Sequence, residues 1–499
     1  MSFDLLRALV SRPEVRTVHD LARARNMSVV LVGGAVRDAL LGHPLPRDLD
    51  FAVQGDAIVL GRAVADALGA AFYVLDAERR TARALLPALP ESAADAQRSS
   101  PVIMDFAACR GANWRADAFA RDFTINAIAV NLEDGTLVDE TNGLADLSAG
   151  VIRATGDRAM DDDPVRALRA VRLAFGLNMR IEPATLAMAR SAGPALSRPS
   201  AERLRDELMA ILKLHQAARA VRALDDLGLL VPLVPEIEPM RSCDQPEPHR
   251  FTVLQHTWEV MEALDSLLKD WRIAVGESEC ALKHAPRLTE HFDVITVEGR
   301  TRAAVYRFAA MLHDCGKPAT RLVGDDGLTH FYGHEVVGAE LAAARARALR
   351  LSSDEVARTG RVVRNHMRVN FMARQLQQLT PRALYRFFRN AGDCAPELAV
   401  FAIADCVGKR GPNTSAEDCA SSLAAAQRLL DEYYARFECS VAPLPLITGR
   451  DVIALGARQG PSIGEVLEAV REAQMIGEIA TRDEALALAR RLLSSSAHR

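Results

Sequence analysis

The chain lacks any uninterrupted apolar run near the roughly 18 residues a membrane-spanning helix needs, which excludes such a helix and predicts no membrane partner. Its first residues, Met1 to Arg7, contain the early acid Asp4 and no apolar core, so no secretory signal is expected. It has no CxxC pair: eight cysteines stand scattered at 109, 243, 280, 315, 394, 406, 419 and 439. That spacing argues against a disulfide framework and predicts reduced thiols in a cytoplasmic protein. It also lacks an excess of either charge. Lys+Arg 61 against Asp+Glu 65 leaves −4, so any grip on a polyanion must come from local basic clusters. No internal repeat is visible. What remains is ordinary globular composition, 49% hydrophobic and 25% charged over 499 residues. At about 150 residues per domain, that length suggests about three domains.

Short β-like runs (Ser28–Val32, Phe51–Val53, Phe72–Leu75, Val102–Phe106, Thr136–Val138) mix with helical ones over residues 1–155. Gly55–Leu68 is helical in spacing, with Gly69 as its stop. Pro87 to Pro101 reads as a surface loop. From Asp161 the pattern is helical: Asp161–Leu177, Pro183–Ala192, and Ala201–Leu214 with Ser200 as N-cap. Five prolines in 231–250 mark a boundary before a second helical block holding most of the histidines. The expected division is a head over 1–155, a helical neck over 156–240, a helical body over 241–410 and a helical tail over 411–499.

The richest stretch is Leu31-Val-Gly-Gly-Ala-Val-Arg-Asp-Ala-Leu-Leu-Gly42, followed by Arg47-Asp-Leu-Asp-Phe-Ala-Val53. Two glycines where a strand turns into a helix let backbone approach a phosphate, and the helix start favours anionic charge. Asp48 and Asp50 stand two apart on a strand and project from one face. Paired hard carboxylates suit Mg²⁺ with substrate phosphates in its shell. Alone, Asp-x-Asp is common on exposed strands.

Gly-Gly, about a dozen residues, then Asp-x-Asp, with Val36-Arg-Asp-x-Leu-Leu-Gly42 between, resembles the DNA polymerase beta nucleotidyltransferase superfamily. Within it the pattern is similar to the bacterial-type (class II) branch of tRNA CCA-adding enzymes and bacterial poly(A) polymerases. The resemblance implies an α/β head, a polymerase-beta-like mixed sheet with helices, followed by a mainly α-helical neck, body and tail. It implies Asp48 and Asp50 as catalytic ligands of two Mg²⁺ ions, and Gly33, Gly34 and Arg37 as a triphosphate cradle. The implied partners are the tRNA 3′ end at the acceptor stem, with CTP and ATP, and no DNA. Ala120-Arg-Asp-Phe-Thr-Ile-Asn-Ala127 resembles the second motif, with Ala120 where the family usually has arginine. That makes Arg121 and Asn126 sugar and phosphate contacts. Asp139 to Leu147 also fits the family. Asp105 is either a third carboxylate or a solvent-facing strand acid.

Asp162, Arg166 and Arg169 fall at i, i+4 and i+7 of one expected helix and share a face. Without the resemblance they are an ion pair on a solvated helix. With it, Asp162-Asp163-x-x-Arg166 is the motif that reads the incoming base. The chemistry agrees: cytosine and adenine each show an amino donor beside a ring-nitrogen acceptor, and uracil and guanine the reverse. A carboxylate with a guanidinium therefore accepts C and A. Glu202 and Arg203, in the next motif, are expected to be structural or RNA-facing.

A second series is ordered along the body: His256, His313-Asp314, His334, His366 and Asp405. His313-Asp-Cys-Gly-Lys-Pro resembles the doublet of the HD phosphohydrolase superfamily, with His256 and Asp405 as outer ligands. His334 and His366 match its two-metal variant. Imidazoles with carboxylates suit Mn²⁺, Fe²⁺, Co²⁺ or Ni²⁺. The resemblance implies phosphatase or 2′,3′-cyclic phosphodiesterase activity, with Lys317 touching substrate or merely following a turn. His249, His284, His291 and His330 fall outside the order. In the tail, Arg450 and Gly460 are candidate RNA-backbone contacts.

The alternatives are CC-adding only, A-adding only or poly(A) tailing by the same chemistry, an HD phosphohydrolase with a vestigial head, and a non-catalytic RNA-binding scaffold. The sequence is silent on oligomeric state.

Overall fold

The computed structural model describes residues 2–87, 101–246, 251–275, 278–297, 299–325, 327–375, 379–409, 416–437, 445–457 and 460–496. The expected loop of Pro87 to Pro101 lies almost wholly outside them, as do His249 and Cys439. The seven described cysteines are free. Among the described residues no helix is long and apolar enough to cross a membrane. The chain forms two compact units: residues 2–200 with 227–229, and 201–226 with 230–496.

The first unit is built on a seven-stranded sheet: β1 (Ser28–Val32), β2 (Asp48–Gln54), β3 (Ala71–Asp76), β4 (Thr81–Leu86), β5 (Val102–Ala108), β6 (Ala129–Asn131) and β7 (Leu137–Val138). Their spatial order is β3-β4-β5-β2-β1-β6-β7. Only β2 and β5 run parallel; every other pair is antiparallel. Two strands went unforeseen. Thr81–Leu86 carries Arg83 in an otherwise small and apolar run, and Ala129–Asn131 has only three residues.

Helix Ala57–Leu68 packs on β4 and β5, and alternation along β2 decides which face it covers. Leu49 and Phe51 are buried, and Phe51 stacks on Phe106 with centroids 5.1 Å apart. Asp48 and Asp50 are left on the open face. The helix starts at Asp56, whose carboxylate accepts from the Ile58 and Val59 N–H groups, and stops at Gly69 (φ 65°).

The expected continuous helix Asp161–Leu177 is broken. Ala159–Asp162 ends at Asp163 (φ −150°, ψ 96°), and a new helix runs Val165–Gly176. Pro164 is the cause, because its ring disfavours helical backbone at the preceding residue.

In the second unit, helices carry the histidine series: Val253–Asp270, Arg302–Met311, His334–Ala348, Ser353–Asn365 and Ala395–Gly408. Capping boxes at Thr252/Gln255 and Ser352/Glu355 fix two of the starts. Two small antiparallel strand pairs, Arg272–Val275 with Ser278–Ala281 and Leu322–Val323 with Thr329–His330, interrupt a block expected to be all-helical. Helices Gly449–Ala454, Pro461–Met475 and Arg482–Ser496 close on a separate apolar cluster that includes Val452, Val466 and Val470.

Candidate functional site

In the first unit, β1 ends at Val32, and Gly33 (φ 87°) turns the chain into helix Gly34–Leu41. A side chain at Gly33 would clash twice: its backbone is left-handed, and a Cβ would lie 3.0 Å from Asp50 Oδ2. The glycine turn therefore sits directly against the carboxylate.

Asp50 stands opposite Asp105 in the β2–β5 register. Asp105 resolves its two readings only in part. It is on the carboxylate face, but Arg83 already holds it bidentately, Nε and Nη2 each 2.8 Å from a carboxylate oxygen. Although Asp50 is open to solvent, the surrounding protein, then Asp105, pushes its pKa up to about 6. Asp48 rises for the same two causes. Neighbouring acids that resist ionisation fit a divalent cation, which would favour their charged forms.

Arg37, nearly buried, donates from Nε to Asp38 (2.8 Å) and from Nη1 to Asn126 Oδ1 (2.6 Å). Asn126 Nδ2 donates to Asp122 Oδ1 (3.1 Å), and Asp122 Oδ2 accepts from Arg169 (3.0 Å). This chain of bonds links the glycine turn to helix Val165–Gly176. Asp122 is its hub, and sequence reasoning missed it. Burial would raise its pKa, but Arg169 and the Asn126 and Phe123 donors overcome that and hold it low. Asp122→Ala is expected to cost about 2–3 kcal/mol, since it strands charged and polar partners. Thermal denaturation against wild type measures it.

The residues expected to read the base are placed differently from expectation. Asp162 is exposed in the preceding helical turn, 3.5 Å from Arg158, so it does not share a helix face with Arg166 and Arg169. Asp163 is half-buried at the break, accepting from the Val165 N–H (3.3 Å). The Arg166 guanidinium donates to the carbonyls of Arg121 (3.0 Å) and Ala120 (2.9 Å), tying its helix to the second motif. Arg121 pairs with Asp117 at 2.8 Å. In the second unit, Glu202, Arg203 and Arg450 are exposed.

All six residues of the histidine series are buried and converge. They form two groups whose donor atoms lie within 4.8 Å of one another: His256, His313 and Asp405, and Asp314, His334 and His366. Asp314 lies between them, Oδ2 3.0 Å from His313 Nε2 and Oδ1 3.4 Å from His334 Nε2. A local device recurs three times. His313, His334 and His366 each turn Nδ1 to the carbonyl three residues earlier, at Ala310 (2.8 Å), Phe331 (2.8 Å) and Val363 (2.6 Å). A carbonyl only accepts, so Nδ1 carries the proton and the Nε2 lone pair faces inward. His313 Nε2, so deprotonated, is buried and makes no hydrogen bond, even to Asp314 Oδ2 at 3.0 Å. Burial lowers the pKa of His256 and His334, keeping them neutral as ligands require. The donor set therefore fits two metal ions.

Lys317 donates to Asp314 Oδ2 at 2.7 Å, and Lys409 pairs with Asp405. A cavity of about 220 Å³ opens beside this centre, with His330, Phe331 and Tyr332 in its wall. His330, set aside on sequence order, is thus part of the pocket. Its position in a hairpin gave no periodic signal.

Comparison with known proteins identifies the family. Residues 29–153 match the "Poly A polymerase head domain" family, 178–241 the "Probable RNA and SrmB- binding site of polymerase A", and 253–407 the HD domain. The class is thus a nucleotidyltransferase carrying an HD domain. The chain is 34% identical to the A-adding tRNA nucleotidyltransferase of Deinococcus radiodurans, over 92% of this chain and 94% of that one. It is 31% identical to the CC-adding tRNA nucleotidyltransferase of Thermus thermophilus, over 91% and 92%. A solved CCA-adding enzyme with CTP superposes with a TM-score of 0.61 at 22% identity, covering 99% of this chain and 97% of that one. The chain belongs to the class II tRNA nucleotidyltransferase family and is an enzyme of that type.

Proposed function

We propose that the chain adds C and A nucleotides to the 3′ end of tRNA without a nucleic-acid template. The observation that carries this reading is the glycine turn packed against Asp50, with Asp48 on the same open face. Asp48 and Asp50 would hold two Mg²⁺ ions, which would supply positive charge for the attacking ribose oxygen and the departing diphosphate. The terminal ribose oxygen bonds to the α-phosphorus, its proton passes to solvent water, and the bond to diphosphate breaks. Gly33, Gly34 and Arg37 cradle the triphosphate, and Arg121 and Asn126 serve as sugar and phosphate contacts. Asp163 and Arg166 choose the base, with Arg169 bracing their helix through Asp122.

A narrower output is a specific second reading, because relatives matching more than nine-tenths of this chain are named A-adding or CC-adding. Incubating tRNA lacking its last three, two or one nucleotides with CTP, ATP and Mg²⁺, then sequencing products, separates these cases. Addition of all three supports CCA synthesis. Stopping after CC, or extending only a CC end, supports the narrower readings, and a long A tract supports poly(A) tailing. No addition to any of them overturns the assignment.

We also assign the HD centre as a phosphohydrolase of phosphomonoesters or 2′,3′-cyclic phosphodiesters, using Mn²⁺, Ni²⁺, Co²⁺ or Fe²⁺. The six convergent ligands support it. His313→Ala is expected to abolish metal-dependent ester hydrolysis while tRNA extension continues. Equal hydrolysis by both proteins removes the assignment.

A further inference from the structure

We propose that Tyr332, stacked on His330, is a base-stacking platform for the HD centre, so that this centre prefers nucleotides or RNA 3′ termini to phosphoesters without a base. The proposal rests on the phosphohydrolase reading above and names its substrate class.

The Tyr332 and His330 rings are parallel, with centroids 5.1 Å apart and planes 11° apart. The Tyr332 hydroxyl lies 3.3 Å from His330 Nδ1, which fixes the pair. Yet Tyr332 is 72% exposed, more than any other large hydrophobic side chain among the described residues. One face of its ring is against His330 and the other is open. A tyrosine in that state contributes little to a core; its packing value is realised when something flat covers it.

Position decides what that is. Tyr332 lies in the short connection between the hairpin strand Thr329–His330 and helix His334–Ala348, two residues before the ligand His334. It lines the same cavity of about 220 Å³ as Asp314, His366 and Asp405. Lys317, on Asp314, also stands 5.7 Å from the Phe331 ring, so a cation sits between the aromatic wall and the metal ligands. The cavity thus joins an aromatic wall that suits a base to a cation, held on Asp314, that suits phosphate oxygens. Every nucleobase has a face to stack, whichever base it is.

In hydrolysis of a cyclic phosphodiester, a water oxygen bonds to phosphorus, one ester P–O bond breaks, and the freed ribose oxygen takes up the proton that the water gives up. Tyr332 touches none of these atoms, so its contribution is to substrate binding.

The test uses full-length protein loaded with Mn²⁺, and compares cytidine 2′,3′-cyclic phosphate with glycerol 1,2-cyclic phosphate, which has no base. Tyr332→Ala is expected to raise KM for the nucleotide about tenfold or more with kcat nearly unchanged. KM for the glycerol ester stays constant, and Tyr332→Phe stays near wild type on both. Equal losses on both esters, or no change on either, overturn the platform. If wild type cleaves neither ester, the phosphohydrolase reading fails. Cytidine monophosphate binding followed by NMR then decides separately: weakened binding in Tyr332→Ala supports the platform, and unchanged binding overturns it.

Discussion

On the proposed role of Asp50 as a Mg²⁺ ligand, Asp50→Asn is expected to reduce nucleotide incorporation by about a thousandfold or more, because it weakens the hold on a cation that would offset several kcal/mol of charge at the phosphoryl transition state. Asparagine keeps the shape that Gly33 packs against, so the variant should fold. A second readout separates a lost ligand from a lost fold. Although Asp50 is on the open face, the protein packed around it, then Asp105, raises its pKa from the ordinary 3.8 to about 6. A raised carboxyl pKa means that the folded state disfavours the charge. Below about pH 4 there is no penalty; it grows between about pH 4 and 6 and stays constant above. In EDTA, wild type should therefore lose thermal stability relative to Asp50→Asn across that window. Mg²⁺ should restore wild type and do little for the variant. A variant less stable than wild type at pH 7 in EDTA would contradict this account.

Gly316→Ala should be the most damaging single-methyl change in the HD domain. A Cβ there would lie 2.2 Å from the His334 carbonyl oxygen and 2.6 Å from the Gly338 N, both backbone atoms. Neither can move without displacing helix His334–Ala348 from the His313–Asp314 turn, which separates His334 from Asp314. A cost of about 3 kcal/mol or more is expected, as for other overpacked sites. Bound metal measured by mass spectrometry should fall by at least one ion. Gly360→Ala is the control: its Cβ would meet atoms no closer than 3.6 Å, and mid-helix alanine should stabilise by about 0.5–1 kcal/mol. Similar outcomes for the two variants would refute the packing argument.

Both predictions depend on residues whose importance was legible to different degrees. Asp48, Asp50 and the glycine turn could be read directly, because a strand's two-residue period puts both acids on one face. The histidine series could be read as an order, and its convergence is a product of five helices folding together. Asp162 misled, since helical spacing assumes unbroken backbone and Pro164 breaks it at Asp163. Arg83, Asp122 and Tyr332 gave no signal. Arg83 meets Asp105 only through strand pairing, Asp122 joins partners 4 and 47 residues away, and Tyr332 sits on a hairpin with no period.

Local chemistry was therefore written in the chain: which residues turn, which acids pair, which histidines follow one another. Those properties depend on backbone geometry over a few residues, where steric rules are strong. Folding decided which of them meet. It clamped Asp105 with an arginine, made a buried aspartate the link between helix Gly34–Leu41 and helix Val165–Gly176, and aimed three imidazoles inward through carbonyls. Such pairings join distant segments, and only packing of whole elements sets them.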